Sequence, residues 1–164
     1  MKTLSLKLLA FSLVIVASSC KKDDPEPSTP SNREKLSGNW ELTDIDANGV
    51  ISFMGQSIPF VTTNADIDQG SYFDFEMNPD EVEYDASATI TVSAIQEFEI
   101  PYQQAGRGTW ELQGRDSLFV TEDGQTTSYG ILSWTDNRMI LRSKQELDFG
   151  GQSFNATIEA VIER

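Results

Sequence analysis

Alternating oxygen-bearing side chains near position 44 are the clearest candidates for chemistry in this sequence. Asp44, Asp46 and Asn48, followed by a glycine, match the first half of an EF-hand calcium loop. Gly55 stands where that loop needs a bidentate acid, and the residues before Asp44 indicate a strand instead of a helix. One interpretation is therefore a weak calcium site. The other is a hairpin with its turn at residues 47–50, which leaves both aspartates facing solvent.

Other acidic residues alternate along candidate strands, and we expect their side chains to face solvent. Such positions include Asp74, Glu76, Glu97 and Glu99. A glycosidase would need two carboxylates facing each other across a cleft, which this spacing does not show. The chain has no histidine and a single cysteine, so the commonest general base and any cysteine-based metal site are missing. We expect neither enzymatic activity nor a cofactor.

The charge balance excludes one class of partner. Lys and Arg total 12 against 26 Asp and Glu, a net charge of −14. A nucleic-acid-binding protein needs a basic surface that displaces counterions from phosphate, and no such patch is present. Solubility explains the acidity, and binding of a cation or a basic ligand is the alternative explanation.

Residues 1–19 have the pattern of an export signal. Two lysines precede an apolar run at residues 8–17, which is shorter than the roughly 20 residues needed to span a bilayer. Small residues then lead to Cys20, and this segment resembles the lipobox of bacterial lipoproteins. That resemblance implies cleavage before Cys20 and a diacylglycerol on its sulfur. The alternative is an ordinary secretory signal followed by a chance cysteine.

The segment after the cysteine, residues 20–35, is rich in Pro, Ser and charged residues and predicts a flexible linker. Lys22, Asp23 and Asp24 resemble the surface-export signal of Bacteroidota lipoproteins. The resemblance implies a lipid-anchored protein in the outer membrane, exposed at the cell surface. A merely solvated linker is the alternative.

From residue 36 to 164 the dominant hydrophobic period is two. Apolar and polar residues alternate at 73–77, 88–94, 98–102 and 154–162, as expected for strands with one buried face. Turn signals separate these runs at Asn48-Gly49, Asn78-Pro79-Asp80, Gly114, Asp123-Gly124, Asp136-Asn137 and Gly150-Gly151. The polar stretch 62–70 is a loop or a short helix. We predict one all-β domain, an antiparallel up-and-down barrel of about eight strands.

The start of this domain carries a family resemblance. Gly38-Asn39-Trp40 resembles the G-x-W motif at the start of the first strand in lipocalins. The spacing of the predicted hairpins resembles that in lipocalin-like domains of Bacteroidota lipoproteins. The resemblance implies that Trp40 plugs the closed end of the barrel under an arginine from a late strand. Arg142 is the candidate for that arginine, and an exposed strand position is its alternative.

Aromatic residues are frequent on the apolar faces. They are Phe73, Phe75, Phe98, Tyr102 and Trp110. In a barrel they either line a cavity for one small ligand or fill the interior. The first case predicts a monomeric carrier of a small apolar ligand. The second predicts a solid module that docks a protein or glycan through loops such as 52–70.

Overall fold

The computed structural model describes residues 31–53, 55–149 and 152–164. A short helix, α1, covers Asn32–Leu36. Nine strands follow: β1 Gly38–Phe53, β2 Gln56–Ile67, β3 Tyr72–Phe75, β4 Glu81–Ser93, β5 Glu97–Gln113, β6 Ser117–Glu122, β7 Gln125–Trp134, β8 Arg138–Phe149 and β9 Gln152–Glu163. The export signal, Cys20 and the Lys22–Asp24 segment lie outside the described residues.

The strands form one antiparallel sheet that closes on itself. Each strand pairs with its neighbour, and β9 pairs back with β1. β2 and β3 share a single position in the ring, because both pair with β1 on one side and with β4 on the other. Nine strands therefore fill eight positions, and the predicted all-β barrel of about eight strands is confirmed.

Alternate residues of each strand point into the barrel, and both ends are packed with apolar side chains. At the end covered by α1, Leu36, Trp40 and Met139 are fully buried. At the far end, buried Phe60 meets buried Phe154 edge-on, with ring centroids 5.3 Å apart. Period-two burial thus builds a packed core at each end of the ring.

Helix α1 belongs to the folded domain, although residues 32–35 were assigned to the linker by sequence. Its first turn is closed by a capping box in which the Ser31 side chain and the Glu34 side chain each bond the other residue's backbone. Leu36 is fully buried, and the Lys35 ammonium lies 2.9 Å from the Asp136 carboxylate. Among the described residues, no helix has the length and apolar composition to cross a bilayer.

Two local predictions were wrong. Residues 47–50 form no turn, because β1 continues to Phe53 and pairs with β9 and β2 on either side. Residues 62–67 form neither loop nor helix but the second half of β2, paired with β4. The predicted turns at 78–80, 114, 123–124 and 136–137 are confirmed, whereas the turn at 150–151 lies outside the described residues.

Candidate functional site

The barrel wall is incomplete at one place, where β6 and β7 are short. β6 ends at Glu122 and β7 begins at Gln125, about halfway along the barrel. β5 and β8 continue to the far end, and residues 97–108 and 143–149 have no strand between them in the described part of the chain. The turn of the β6–β7 hairpin therefore borders a break in the backbone ladder between β5 and β8, which we call the side opening.

A pair of amides bridges β5 and β8 across the side opening. Gln104 Nε2 donates to Gln145 Oε1 at 2.9 Å, and Gln145 Nε2 donates back to Gln104 Oε1 at 3.3 Å. Gln145 Nε2 also donates to Ser143 Oγ at 2.9 Å, and the Tyr102 hydroxyl donates to Gln104 Oε1 at 3.1 Å. These polar groups lie on inward-facing positions and satisfy one another, as partly buried polar groups must.

Glu122 extends this polar cluster to the hairpin turn. It shares the inward parity of Leu118 and Val120, and its carboxylate accepts a hydrogen bond from the Tyr84 hydroxyl at 2.7 Å. A Cβ atom on Gly106 would collide with that carboxylate, so the glycine makes room for it. The Arg107 backbone N–H donates to Glu122 Oε1 at 3.3 Å. The carboxylate is thus held inside the wall, over β5.

Three tyrosines of the cluster stay protonated at physiological pH. Burial, and then the Glu122 carboxylate, raises the pKa of Tyr129 to about 12. Burial and the hydrogen bond to Glu122 also raise the pKa of Tyr84, and burial raises that of Tyr102. Their hydroxyls are therefore neutral hydrogen-bond donors and acceptors.

Little free space is enclosed next to this cluster. The enclosed cavity measures about 10 Å³, the room of about one water molecule. Its lining is mainly apolar: Phe73, Phe75, Val82, Tyr84, Leu118, Val120, Tyr129 and Leu141. Small-molecule pockets usually span about 300–1,000 Å³, so an occupant of that size requires these side chains to move.

Three of the five predicted cavity residues pack in a row, and the other two lie elsewhere in the barrel. Phe73 and Phe75 line the small cavity, with ring centroids 6.4 Å apart. Tyr102 lies at the side opening, through its bond to the Gln104–Gln145 pair. Phe98 pairs with Val92 near the far end, and Trp110 packs edge-on against Phe75 towards the α1 end, at 6.1 Å.

Trp40 plugs the α1 end, but its arginine partner is not Arg142. The Arg164 guanidinium lies 4.1 Å from the centre of the Trp40 ring, and Trp40 Nε1 donates to the Leu36 carbonyl at 2.7 Å. Arg142 points outward and pairs with Glu159 at 2.7 Å, because its neighbours in β8 occupy the inward positions. Gly38, with a φ of +112°, turns the chain from α1 into β1.

A second tryptophan is held similarly at the same end. Trp110 Nε1 donates to the Glu76 carbonyl at 2.8 Å, and the Arg33 guanidinium lies 5.5 Å from the ring centre. Trp110 is nearly fully buried. Both tryptophans are therefore structural plugs and do not belong to the candidate site.

The calcium-loop interpretation is wrong. Asp44, Asp46 and Asn48 lie on extended β1 and pair with β9, so they cannot wrap around an ion as a loop does. Burial, and then the charges of Asp44 and Glu159, raises the pKa of Asp46. Within the described residues, no three acidic or cysteine side chains are grouped as metal ligands.

The outer surface carries a larger concavity, which we call the outer groove. It measures about 820 Å³ and lies where β7 departs from β8. Its lining is polar: Asn48, Thr126, Thr127, Ser128, Gly130, Arg142, Ser143, Lys144, Thr157 and Glu159.

Glu122, Tyr84, Gln104 and Gln145 were missed by the sequence analysis, although a signal was present. In β6 the parity of Leu118 and Val120 assigns Glu122 to the inner face. Acidic strand residues were all taken as solvent-facing, and this assumption concealed the inward position of Glu122.

A closed, up-and-down antiparallel barrel with a plugged end and a polar side opening defines the architectural class of this chain. The sequence model of the lipocalin-like domain matches residues 36–141, and the chain belongs to that family. Among solved structures, the chain is similar to bovine odorant binding protein in complex with a selenium-containing odorant. The identity is 13%, 85% of this chain and 76% of that chain are covered, and the TM-score is 0.38. A search of curated proteins gave no significant match.

Proposed function

We propose that this barrel binds one small amphiphilic molecule through the side opening. The apolar part of the molecule would occupy the enclosed cavity after the aromatic and aliphatic side chains around it move aside. Its polar end would bond the cluster of Glu122, Tyr84 and the Gln104–Gln145 pair. Binding, and not catalysis, is the activity that this arrangement supports.

One observation carries the proposal: polar groups occupy inward-facing positions at the gap in the wall. Apolar side chains fill both ends of the barrel. Apolar side chains in the middle would stabilise the fold equally well and would need no hydrogen-bond partners. Instead, the partly exposed Glu122 carboxylate and two partly exposed amides lie there, and the amides bond the hydroxyls of buried Tyr102 and Ser143. Convergent polar groups beside an apolar wall are typical of ligand sites.

The test is a matched pair of substitutions by phenylalanine. Val120→Phe places a ring in the enclosed cavity inside the barrel, and Thr126→Phe places the same ring in the outer groove. We expect octanol, octanoate or octylamine to form a one-to-one adduct with the wild-type chain in native mass spectrometry. Val120→Phe should lose the adduct, and Thr126→Phe should keep it. Thermal melts establish that both variants fold.

A second candidate is a solid module that docks a protein or glycan in the outer groove. The contrast between the 10 Å³ enclosed inside and the 820 Å³ groove outside favours it. It predicts the reverse pattern, in which Thr126→Phe abolishes binding of the partner and Val120→Phe does not. Failure of every alkyl compound to bind would favour this candidate.

We further propose that the barrel is held at the outer membrane by a lipid on Cys20. The sequence pattern around Cys20 and the Lys22–Asp24 segment support this proposal. Metabolic labelling with an alkyne fatty acid should mark the wild-type chain and leave Cys20→Ser unmarked. Protease treatment of intact cells tests surface exposure, and replacing Asp23 and Asp24 by alanine should abolish it. Labelling that persists in Cys20→Ser would contradict the anchor.

A further inference from the structure

We propose that the ligand of the side opening is a cation, an alkylammonium or similar amine, held by the Glu122 carboxylate. This inference rests on the proposed function and specifies the chemical class of its ligand. It comes from the charge, the hydrogen bonds and the aromatic surroundings of one side chain.

Glu122 is the only charged side chain on the inward-facing positions that the structure describes. No lysine or arginine of the described residues forms an ion pair with it. The adjacent Arg107 side chain turns away and contacts Glu81 at 2.6 Å. The carboxylate therefore lacks a countercharge from the protein, which a bound cation would supply.

The carboxylate also retains hydrogen-bonding capacity. Two oxygens offer about four acceptor positions. The structure fills two of them, with the Tyr84 hydroxyl at 2.7 Å and the Arg107 N–H at 3.3 Å. An ammonium group carries donors only, so it fits the remaining positions. A carboxylate ligand would instead bring a second negative charge against Glu122.

The surroundings suit an amine with an apolar tail. Tyr84, whose hydroxyl donates to Glu122, and Tyr129 both line the enclosed cavity with aromatic rings, and the faces of such rings attract cations. Phe73 and Leu141 continue the same lining as purely apolar wall. The net charge of −14 also attracts cations from solution before contact.

Three probes of equal chain length test the inference: octylamine, octanol and octanoate, titrated calorimetrically near neutral pH. We expect octylamine to bind at least about tenfold more tightly than octanol, and octanoate to bind most weakly. Glu122→Gln, which still accepts from Tyr84, should reduce octylamine to the affinity of octanol and leave octanol unchanged. Gly106→Ala, which pushes the carboxylate aside, should act in the same direction.

Glu99→Gln is the matched control, since it removes one negative charge from an exposed position of β5. An equal loss of octylamine affinity in both Gln variants would overturn the site, because net charge alone would then explain the preference. Equal binding of all three probes would overturn the cation preference and leave ligand binding intact. No binding of any probe would overturn both.

Discussion

Two glycines of β5 show how a missing side chain can position a neighbouring one. Gly106 leaves room for the Glu122 carboxylate, and Gly108 leaves room for the backbone carbonyl of Thr121. Both glycines share the inward parity of Tyr102 and Gln104, so a Cβ at either position would point into the barrel. A Cβ at Gly106 would meet the flexible end of the Glu122 side chain. A Cβ at Gly108 would meet the backbone of Thr121, which is fixed in its strand.

That difference predicts unequal costs for the same substitution. Gly108→Ala should lower the free energy of unfolding by about 1–3 kcal/mol, as overpacking does, because Thr121 can move only with its strand. Gly106→Ala should cost clearly less, because the Glu122 side chain can rotate away. Urea unfolding of both variants measures the difference. Equal losses would show that the Glu122 carboxylate is held as rigidly as backbone.

Asp46 makes a pH-dependent prediction. The pKa of its carboxyl is raised above 3.8 in the folded protein. At pH values above 3.8, the charged carboxylate therefore lowers the stability of the folded state. Asp46→Asn should therefore raise the Tm at neutral pH. The gain should vanish as the pH falls below 3.8, where the carboxyl is protonated in both states. Thermal melts across this range, with Glu99→Gln for comparison, check it. A gain that persists at low pH would refute the explanation.

At the residue scale, strand parity could have predicted more than was drawn from it. Parity places Arg142 outside, because Met139, Leu141 and Ser143 face inward, and it places Glu122 inside. It could not reveal Arg164 as the partner of Trp40. That contact depends on how the last residues of the chain reach α1, where Arg164 donates to the Lys35 carbonyl at 2.5 Å.

At the element scale, the period of two predicted strands well wherever the period was unbroken. It failed in β2, where a bulge between Thr62 and Asn64 shifts the alternation by one residue. The turn signal at Asn48-Gly49 was also misleading, because Gly49 lies inside β1. There the glycine serves the close approach of Phe60, whose ring would lie 2.8 Å from a Cβ.

Helix α1 was missed for a different reason. Five residues cannot form a stable helix alone, so the segment depends on contacts that a local pattern does not contain. The Ser31-x-x-Glu34 capping box was the available local signal. The lengths of β6 and β7, which create the side opening, were equally hidden, because turn signals do not state how far neighbouring strands extend.

The packing of α1 leads to a stability prediction. Leu36→Ala should lower the free energy of unfolding by about 2–4 kcal/mol, because Leu36 is fully buried against the barrel. Lys35→Ala, which removes only an exposed ion pair, should cost less than about 1 kcal/mol. Chemical denaturation measures both. A negligible effect of Leu36→Ala would mean that α1 does not contribute to the fold.

At the scale of the whole molecule, acidity opposes the compact state. A net charge of −14 produces self-repulsion that salt screens. Raising NaCl from about 10 mM to about 300 mM, which shortens the Debye length several-fold, should therefore raise the Tm. Scanning calorimetry over this range checks it. A constant or falling Tm would show that local ion pairs outweigh the net charge.

The Gln104–Gln145 bridge has a kinetic consequence. Every other pair of adjacent strands in the ring is joined by a backbone ladder over the residues that the structure describes, whereas β5 and β8 meet there through side chains. Each hydrogen bond contributes about 1 kcal/mol, and the seam has only the bonds of this bridge whereas a ladder has many, so we expect the wall to part more readily here than along a ladder. Backbone amides of residues 97–105 that face the seam should exchange with deuterium earlier than those of β9. The residence time of an occupant would then be set by two glutamines in the wall, and not by the rim of the barrel.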